Sequence, residues 1–163
     1  MLDYVYGHND AVANFAAQMI PECRERGFGR CATIGVIEET GFLIAGIIYH
    51  NWDPDAGVID ISAAALPGQY WLTRETLKRM YQYPFLQCGC QMVMNKVPAD
   101  DERQLRMMAA FNYSLIRIPR GLGRYKDGVL GLLTREDWEA NKICQRYRHH
   151  IVDAPVTTVE EAA

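Results

Sequence analysis

The residues from Gly57 to Ala65 read GVIDISAAA, and the chain then turns at Pro67-Gly68 before TRETLKRM opens a helix near Thr73. Few folds accept this junction. A strand-like run followed by a short loop and a helix implies a crossover. The next strand then lies parallel to the first, since parallel partners need about a dozen or more connecting residues, usually a helix. CQMVMNKV, residues 90–97, is that next run. The same junction points the unpaired N–H groups of a helix's first turn at whatever lies before them, an arrangement that receives phosphate. The opposing interpretation makes Thr73 a plain N-cap and Trp71 a core aromatic.

The rest of the chain fills in around this unit. LDYVY, residues 2–6, alternates like a short strand, and NDAVANFAAQMIP has a helix start at Asn9 or Asp10 and a stop at Pro21. ECRERGFGR is a charged connector. CATIGVIEET and GFLIAGIIYHNWD read as strands split at Thr40-Gly41, and VIDISAAAL follows the turn DPDAG as a third. The crossover helix runs to about Leu86, with Pro84 set to bend or end it. ADDERQLRMMAAF is a helix with an acidic first turn. YSLIRIPR and DGVLGLLT are strands around the loop GLGRYK, and Thr134 with Asp137 forms a capping box for a last helix through WEANKICQRY. The order is β-α-βββ-α-β-α-β-β-α, without repeats. It describes one α/β domain over residues 1–152 and a loose tail over 153–163.

Composition excludes some function classes. A formal net charge of −3 argues against bulk electrostatic binding to nucleic acid. No 18-residue apolar run and no leader-like N-terminus are present, so neither a membrane span nor a signal peptide is expected. Five cysteines, an odd number, fit reduced thiols and a cytoplasmic location. Cys88-Gly89-Cys90 lacks a matching second pair, so no metal site is expected.

The element order, with a helix-opening loop after a three-strand meander, resembles the GNAT N-acetyltransferase superfamily over roughly residues 1–140. Within it, the chain is most similar to the small stand-alone members found in bacteriophage and prophage genomes. Asp60 stands seven residues before Pro67, where relatives place a strand carboxylate. TRETLKRM parallels the start of the family's cofactor helix, DERQLRMMAAFNY its later helix, and GVLGLLTREDW its closing strand and acidic-Trp segment. The resemblance implies a single GNAT-type domain: a mixed, mostly antiparallel sheet with a splayed parallel strand pair, flanked by helices. It also implies acetyl-CoA as the cofactor, its pantetheine along Ala64 and Leu66 and its pyrophosphate over Gln69, Tyr70, Trp71, Leu72, Thr73 and Arg74. Ala63, Ala64 and Ala65 stand where the family's strand bulges and splays, and they equally suit a crowded core.

The chain departs from the family pattern in several places. The phosphate loop, written Arg/Gln-x-x-Gly-x-Gly/Ala, aligns with Gly68 to Thr73, and both pattern glycines are absent. Backbone N–H groups and a helix dipole can hold a pyrophosphate without them. Asn112 occupies the place of a helix-ending glycine, and asparagine tolerates the left-handed conformation next best. Met108 stands where many relatives carry the tyrosine that protonates the leaving thiolate, and Tyr113 falls where the family writes phenylalanine.

By the same resemblance the reaction is direct attack of an amine on the thioester, which needs a base for the ammonium. Asp60 is the first candidate, with a solvent-facing strand carboxylate as the plain interpretation. His50 is a second base or, with the neighbouring Tyr49, a substrate contact. Tyr113 is the remaining candidate acid and otherwise a core residue. Arg117, Arg120 and Arg124, with Lys126, gather about the last hairpin, where an acidic or phosphate-bearing acceptor would suit them and a solvated hairpin explains them as well. The leading function is acetyl transfer to an amine of a small molecule or protein. The competitors are a non-catalytic acyl-CoA-binding scaffold and a nucleic-acid-modifying transferase on the same fold. The paired C-terminal strands suit a homodimer.

Overall fold

The computed structural model describes residues 1–142. Residues 143–163, which hold the end of the expected last helix and the whole expected tail, lie outside the described residues. Seven strands, β1 (Asp3–Tyr6), β2 (Cys31–Ile37), β3 (Leu43–Asp53), β4 (Val58–Ala65), β5 (Met92–Pro98), β6 (Ser114–Gly123) and β7 (Lys126–Thr134), form one sheet in the order β1-β2-β3-β4-β5-β7-β6. Helices α1 (Asn9–Met19), α2 (Arg74–Gln82), α3 (Glu102–Ala110) and α4 (Arg135–Ala140) flank it. Every neighbouring strand pair is antiparallel except β4 and β5. That is the mixed sheet the sequence implies. Among the described residues, no helix is long and apolar enough to cross a membrane.

The parallel pair is short. β4 and β5 are in register only at Val58↔Met92, Ile59↔Val93 and Asp60↔Met94. Beyond Asp60, β4 stays paired to β3 as far as Ala65, and β5 stays paired to β7 as far as Pro98. A gap therefore opens between the C-terminal halves of the two strands, and the expected splay begins at Asp60.

Strand alternation sorts the side chains onto two faces. Ile47, Tyr49, Ile59, Ile61, Val93, Val97, Val129 and Leu133 point to the face covered by α2, where they pack with Met80, Tyr83 and Phe85. Ile48 and Cys31 point to the other face and pack with Ala16 of α1. α1 can sit close because Gly35 and Gly46 are cross-strand partners. A Cβ on Gly46 would lie 2.9 Å from Val12, and one on Gly35 would lie 3.1 Å from the same residue. This hollow brings the end of α1 and the following 3₁₀ turn, Pro21–Cys23, over the face that carries Asp60.

Pro84 ends α2 as expected, and the chain continues as a single π-helical turn over Tyr83–Gln87. There the Cys88 N–H reaches the Tyr83 carbonyl at 3.0 Å. Proline has no N–H to sustain the regular ladder, and a wider turn carries the chain past it. Asn112 does adopt the left-handed conformation, with φ 67°. Thr134 caps α4, accepting from the Asp137 N–H at 3.1 Å. The last hairpin differs from expectation. Its strands extend through most of the loop GLGRYK, leaving only Arg124 and Tyr125 between them. A register irregularity between Ile118 and Gly123, with Arg120 at φ 56°, absorbs the extra residues.

Candidate active site

A cavity of about 680 Å³ lies on the α1 face of the sheet, within the size range of small-molecule sites. Its floor alternates along the strands: His50 from β3, Asp60, Ser62 and Ala64 from β4, and Met94 and Lys96 from β5. Its walls come from the end of α1, the 3₁₀ turn and connector through Arg26, and Ile118, Leu122 and Leu130 of the last hairpin. Lys126 closes one side by reaching Glu22 of the turn at 3.1 Å.

Asp60 and His50 are cross-strand partners. Just beyond His50 the β3–β4 register breaks, and Asn51 takes a left-handed conformation with φ 49°. That conformation turns the Asn51 amide onto Asp60, donating from Nδ2 to Oδ2 at 2.7 Å. The other oxygen, Oδ1, is buried and has no hydrogen-bond partner among the described residues. Such an orphan acceptor is costly unless a ligand completes it. His50 lies 5.2 Å from the Phe28 ring and pairs through Nε2 with the Ser62 hydroxyl at 2.9 Å. Burial pushes the His50 imidazole below its ordinary value and outweighs the nearby Asp60 charge, which pulls the other way. The ring is therefore neutral near pH 7 and able to take a proton.

Two cations also line the cavity, Arg26 and Lys96. Neither has a carboxylate within salt-bridge distance among the described residues. Burial raises the pKa of Cys23 beside them, against the pull of Arg26 and Lys96. The hairpin arginines behave differently. Arg117 is bound to Asp127 at 2.8 Å, the Arg120 N–H donates to the same carboxylate, and Arg124 is exposed. None of the three lines the cavity. Lys126 alone of that group meets its wall, through Glu22.

β4 runs directly from the cavity into the loop before α2. Leu66 extends the pairing with β3 through its N–H to the Ile44 carbonyl at 2.9 Å. Gly68 turns the chain at φ 77°, and Tyr70 stands 81% exposed. Trp71 and Leu72 fold back onto the core. The Gln69 and Thr73 N–H groups are used inside the loop, by the Leu66 and Trp71 carbonyls. No protein hydrogen bond among the described residues engages the N–H groups of Tyr70, Trp71 or Leu72. Arg74 and Glu75 add the two free N–H groups of the helix's first turn. The Thr73 hydroxyl is the N-cap, accepting from the Thr76 N–H at 3.2 Å. Thr76, fully buried, ties the loop together: its hydroxyl donates to the Trp71 carbonyl at 2.6 Å and lies 2.9 Å from the Tyr4 hydroxyl.

Tyr49 and Tyr113 are not brought to the cavity. Tyr49 is fully buried on the α2 face, its hydroxyl donating to the Met80 carbonyl at 2.6 Å. It cannot touch a substrate, because alternation turns it away from the face that His50 joins. Tyr113 is 7% exposed on the same α2 side, 3.0 Å from the Tyr81 hydroxyl. Met108 lies beside it, and its methyl group occupies the space that a Cβ on Gly131 would need. Asn51, Ser62, Arg26, Lys96 and Glu22 were not candidates from sequence. The bare signals were the charged connector and the odd-even register of β5.

Comparison with solved structures identifies the fold. A dodecameric spermidine N-acetyltransferase from Vibrio cholerae superposes with TM-score 0.70 at 10% identity, over 86% of this chain and 98% of that one. A probable acetyltransferase gives 0.62 at 14% identity over 84% and 94%. RimJ of Mycobacterium smegmatis, in complex with CoA-disulfide, gives 0.60 at 14% identity over 73% and 59%. No family model matches the sequence, and no curated protein does. The fold is that of the GNAT acetyltransferases.

Proposed function

We propose that this protein is an acetyl-CoA-dependent N-acetyltransferase of the compact kind seen in phage and prophage genomes. The observation that carries the proposal is the opening between β4 and β5. It starts at Asp60 and is floored by Ala63, Ala64 and Ala65. It leads to a loop and helix N-terminus whose free N–H groups suit an anion. The fold neighbours, one named a spermidine N-acetyltransferase and one in complex with CoA-disulfide, support the same reading.

Bound acetyl-CoA would supply a thioester whose carbonyl the amine attacks, the C–S bond breaking to release the thiolate. The chain's own residues prepare the amine. Asn51 fixes one oxygen of Asp60 and leaves Oδ1 to take the ammonium proton. His50, neutral and in register with Asp60, is the second acceptor, and its imidazolium would be stabilised by that carboxylate. Ser62 holds the imidazole in orientation. With Met108 apolar and Tyr113 on the far face, the thiolate takes its proton from water. A homo-oligomer paired along β6 belongs to this reading, because its Leu115 and Ile116 are 39% and 49% exposed at the sheet edge.

Titration calorimetry with acetyl-CoA and with CoA, followed by thiol release in the presence of amines, tests the proposal. Binding with amine-dependent thiol release is expected. Binding without release under any amine would favour an acyl-CoA-binding scaffold, for which the lack of a leaving-group acid is the supporting observation.

A further inference from the structure

Resting on the acetyltransferase reading, we propose that the acceptor is an amine carrying an anionic group, a carboxylate or a phosphate. Arg26 and Lys96 hold the anion while the ammonium lies at Asp60. Among the described residues, the cavity pairs one orphaned carboxylate oxygen with two cations that form no carboxylate ion pair, Arg26 resting on the Cys23 thiol. Its other wall carboxylate, Glu22, is bound by Lys126 and only feels the charge of Arg26 from beyond ion-pair distance.

The placement of the cations follows from the fold. Lys96 is two residues beyond Met94, the register partner of Asp60, so alternation puts it on the cavity face farther along the splayed half of β5. Arg26 comes from the connector that α1 holds over that face, near enough to His50 and Cys23 to act on their protonation. The charges of the site thus have a direction, negative at Asp60 and positive at Arg26 and Lys96, and a zwitterionic acceptor matches both ends. A polyamine, the substrate named for the Vibrio fold neighbours, would bring further positive charge against these cations, and like charges held close in a cleft repel. The free N–H groups suited to the donor's pyrophosphate lie elsewhere, before α2, so the cavity cations are not needed there.

Paired amines that differ in one anionic group test the proposal: amino acids against their amides, phosphoethanolamine against ethanolamine, and spermidine as the polycation. The anionic members should show the higher kcat/KM, by about ten- to a hundred-fold for a charge-assisted contact. In the R26Q K96Q variant the ratio of anionic to neutral kcat/KM should fall by about the same factor. The amino acid and phosphoethanolamine arms tell carboxylate from phosphate. A preference for spermidine or the neutral amines overturns the proposal. So does a double variant that loses acetyl-CoA binding, which would place the cations on the cofactor. Calorimetry of the anionic amines without acetyl-CoA separates this inference from the reaction itself. Binding that R26Q K96Q abolishes, in a protein that turns over nothing, keeps the anion site and discards the enzyme. No binding and no turnover discards both.

Discussion

The two ends of the splayed strand β4 present opposite chemistry. Before α2, the side chains are satisfied among themselves, with Thr73, Thr76, Tyr4 and the Trp71 carbonyl closing one network, while backbone N–H groups stay free. In the cavity β4 keeps its pairing to β3 and parts from β5 only beyond Asp60, and among the described residues charged side chains lack an ionic partner: Asp60 Oδ1, Arg26 and Lys96. On the proposed function, the thioester side would recognise its ligand through main chain and the amine side through side chains. A main-chain site tolerates almost any spelling. A side-chain site does not.

Substitutions can break this contrast at either end. Asp60→Asn should have the largest effect. It keeps the shape and removes the proton-accepting charge, and general-base contributions are about a hundred- to ten-thousand-fold in rate. Stopped-flow or steady-state turnover at saturating acetyl-CoA would show the fall, with acetyl-CoA affinity by calorimetry nearly unchanged. Retained turnover with His50→Ala inactive would exchange the two roles. At the other end, Thr76→Val removes a buried hydroxyl with several partners. It should cost about 1–3 kcal/mol in denaturant unfolding and weaken acetyl-CoA binding, because the loop it ties down loosens.

A finer cut is Asn51→Gly. Glycine accepts the φ of 49° without strain, so the backbone stays while the amide on Asp60 goes. Turnover should drop by about ten-fold and its pH profile should move, with folding stability little affected. The smallest effect concerns His50. Burial holds its folded pKa below the ordinary 6.5, so the unfolded chain binds the extra proton between those two values. Stability should accordingly fall as pH drops through that window. Thermal unfolding of His50→Gln, followed from pH 7 to pH 5, should decline less steeply than the parent. Equal slopes would mean that the ring gains its proton without cost in the fold.

Much of the frame was legible because local chemistry and global fold agree. The turn at Thr40-Gly41, the caps at Thr73 and Thr134, and the left-handed Asn112 each need one residue type in one place. The faces of β3 were not legible: LIAGIIYHNWD is apolar at odd and even positions alike, so only the register with β4 shows that His50 faces the cavity and Tyr49 the core. Arg26 was hidden for a different reason. ECRERGFGR has no periodicity, and its place over the cavity comes from the hollow at Gly35 and Gly46 that α1 fills. The hairpin arginines could not be placed from sequence, because charge alone says nothing of the Asp127 that holds Arg117 away from the cavity.

The contact between Met108 and Gly131 constrains how such a site can evolve. A tyrosine at position 108 would put a rigid ring where a flexible thioether now bends over Gly131 and beside Tyr113. That single substitution would place the ring without making the space for it. Gaining a leaving-group acid by that route requires compensating changes at neighbouring positions. On the proposed function, the absence of an acid at position 108 is thus tied to packing in the interior, away from the cavity that would take the amine.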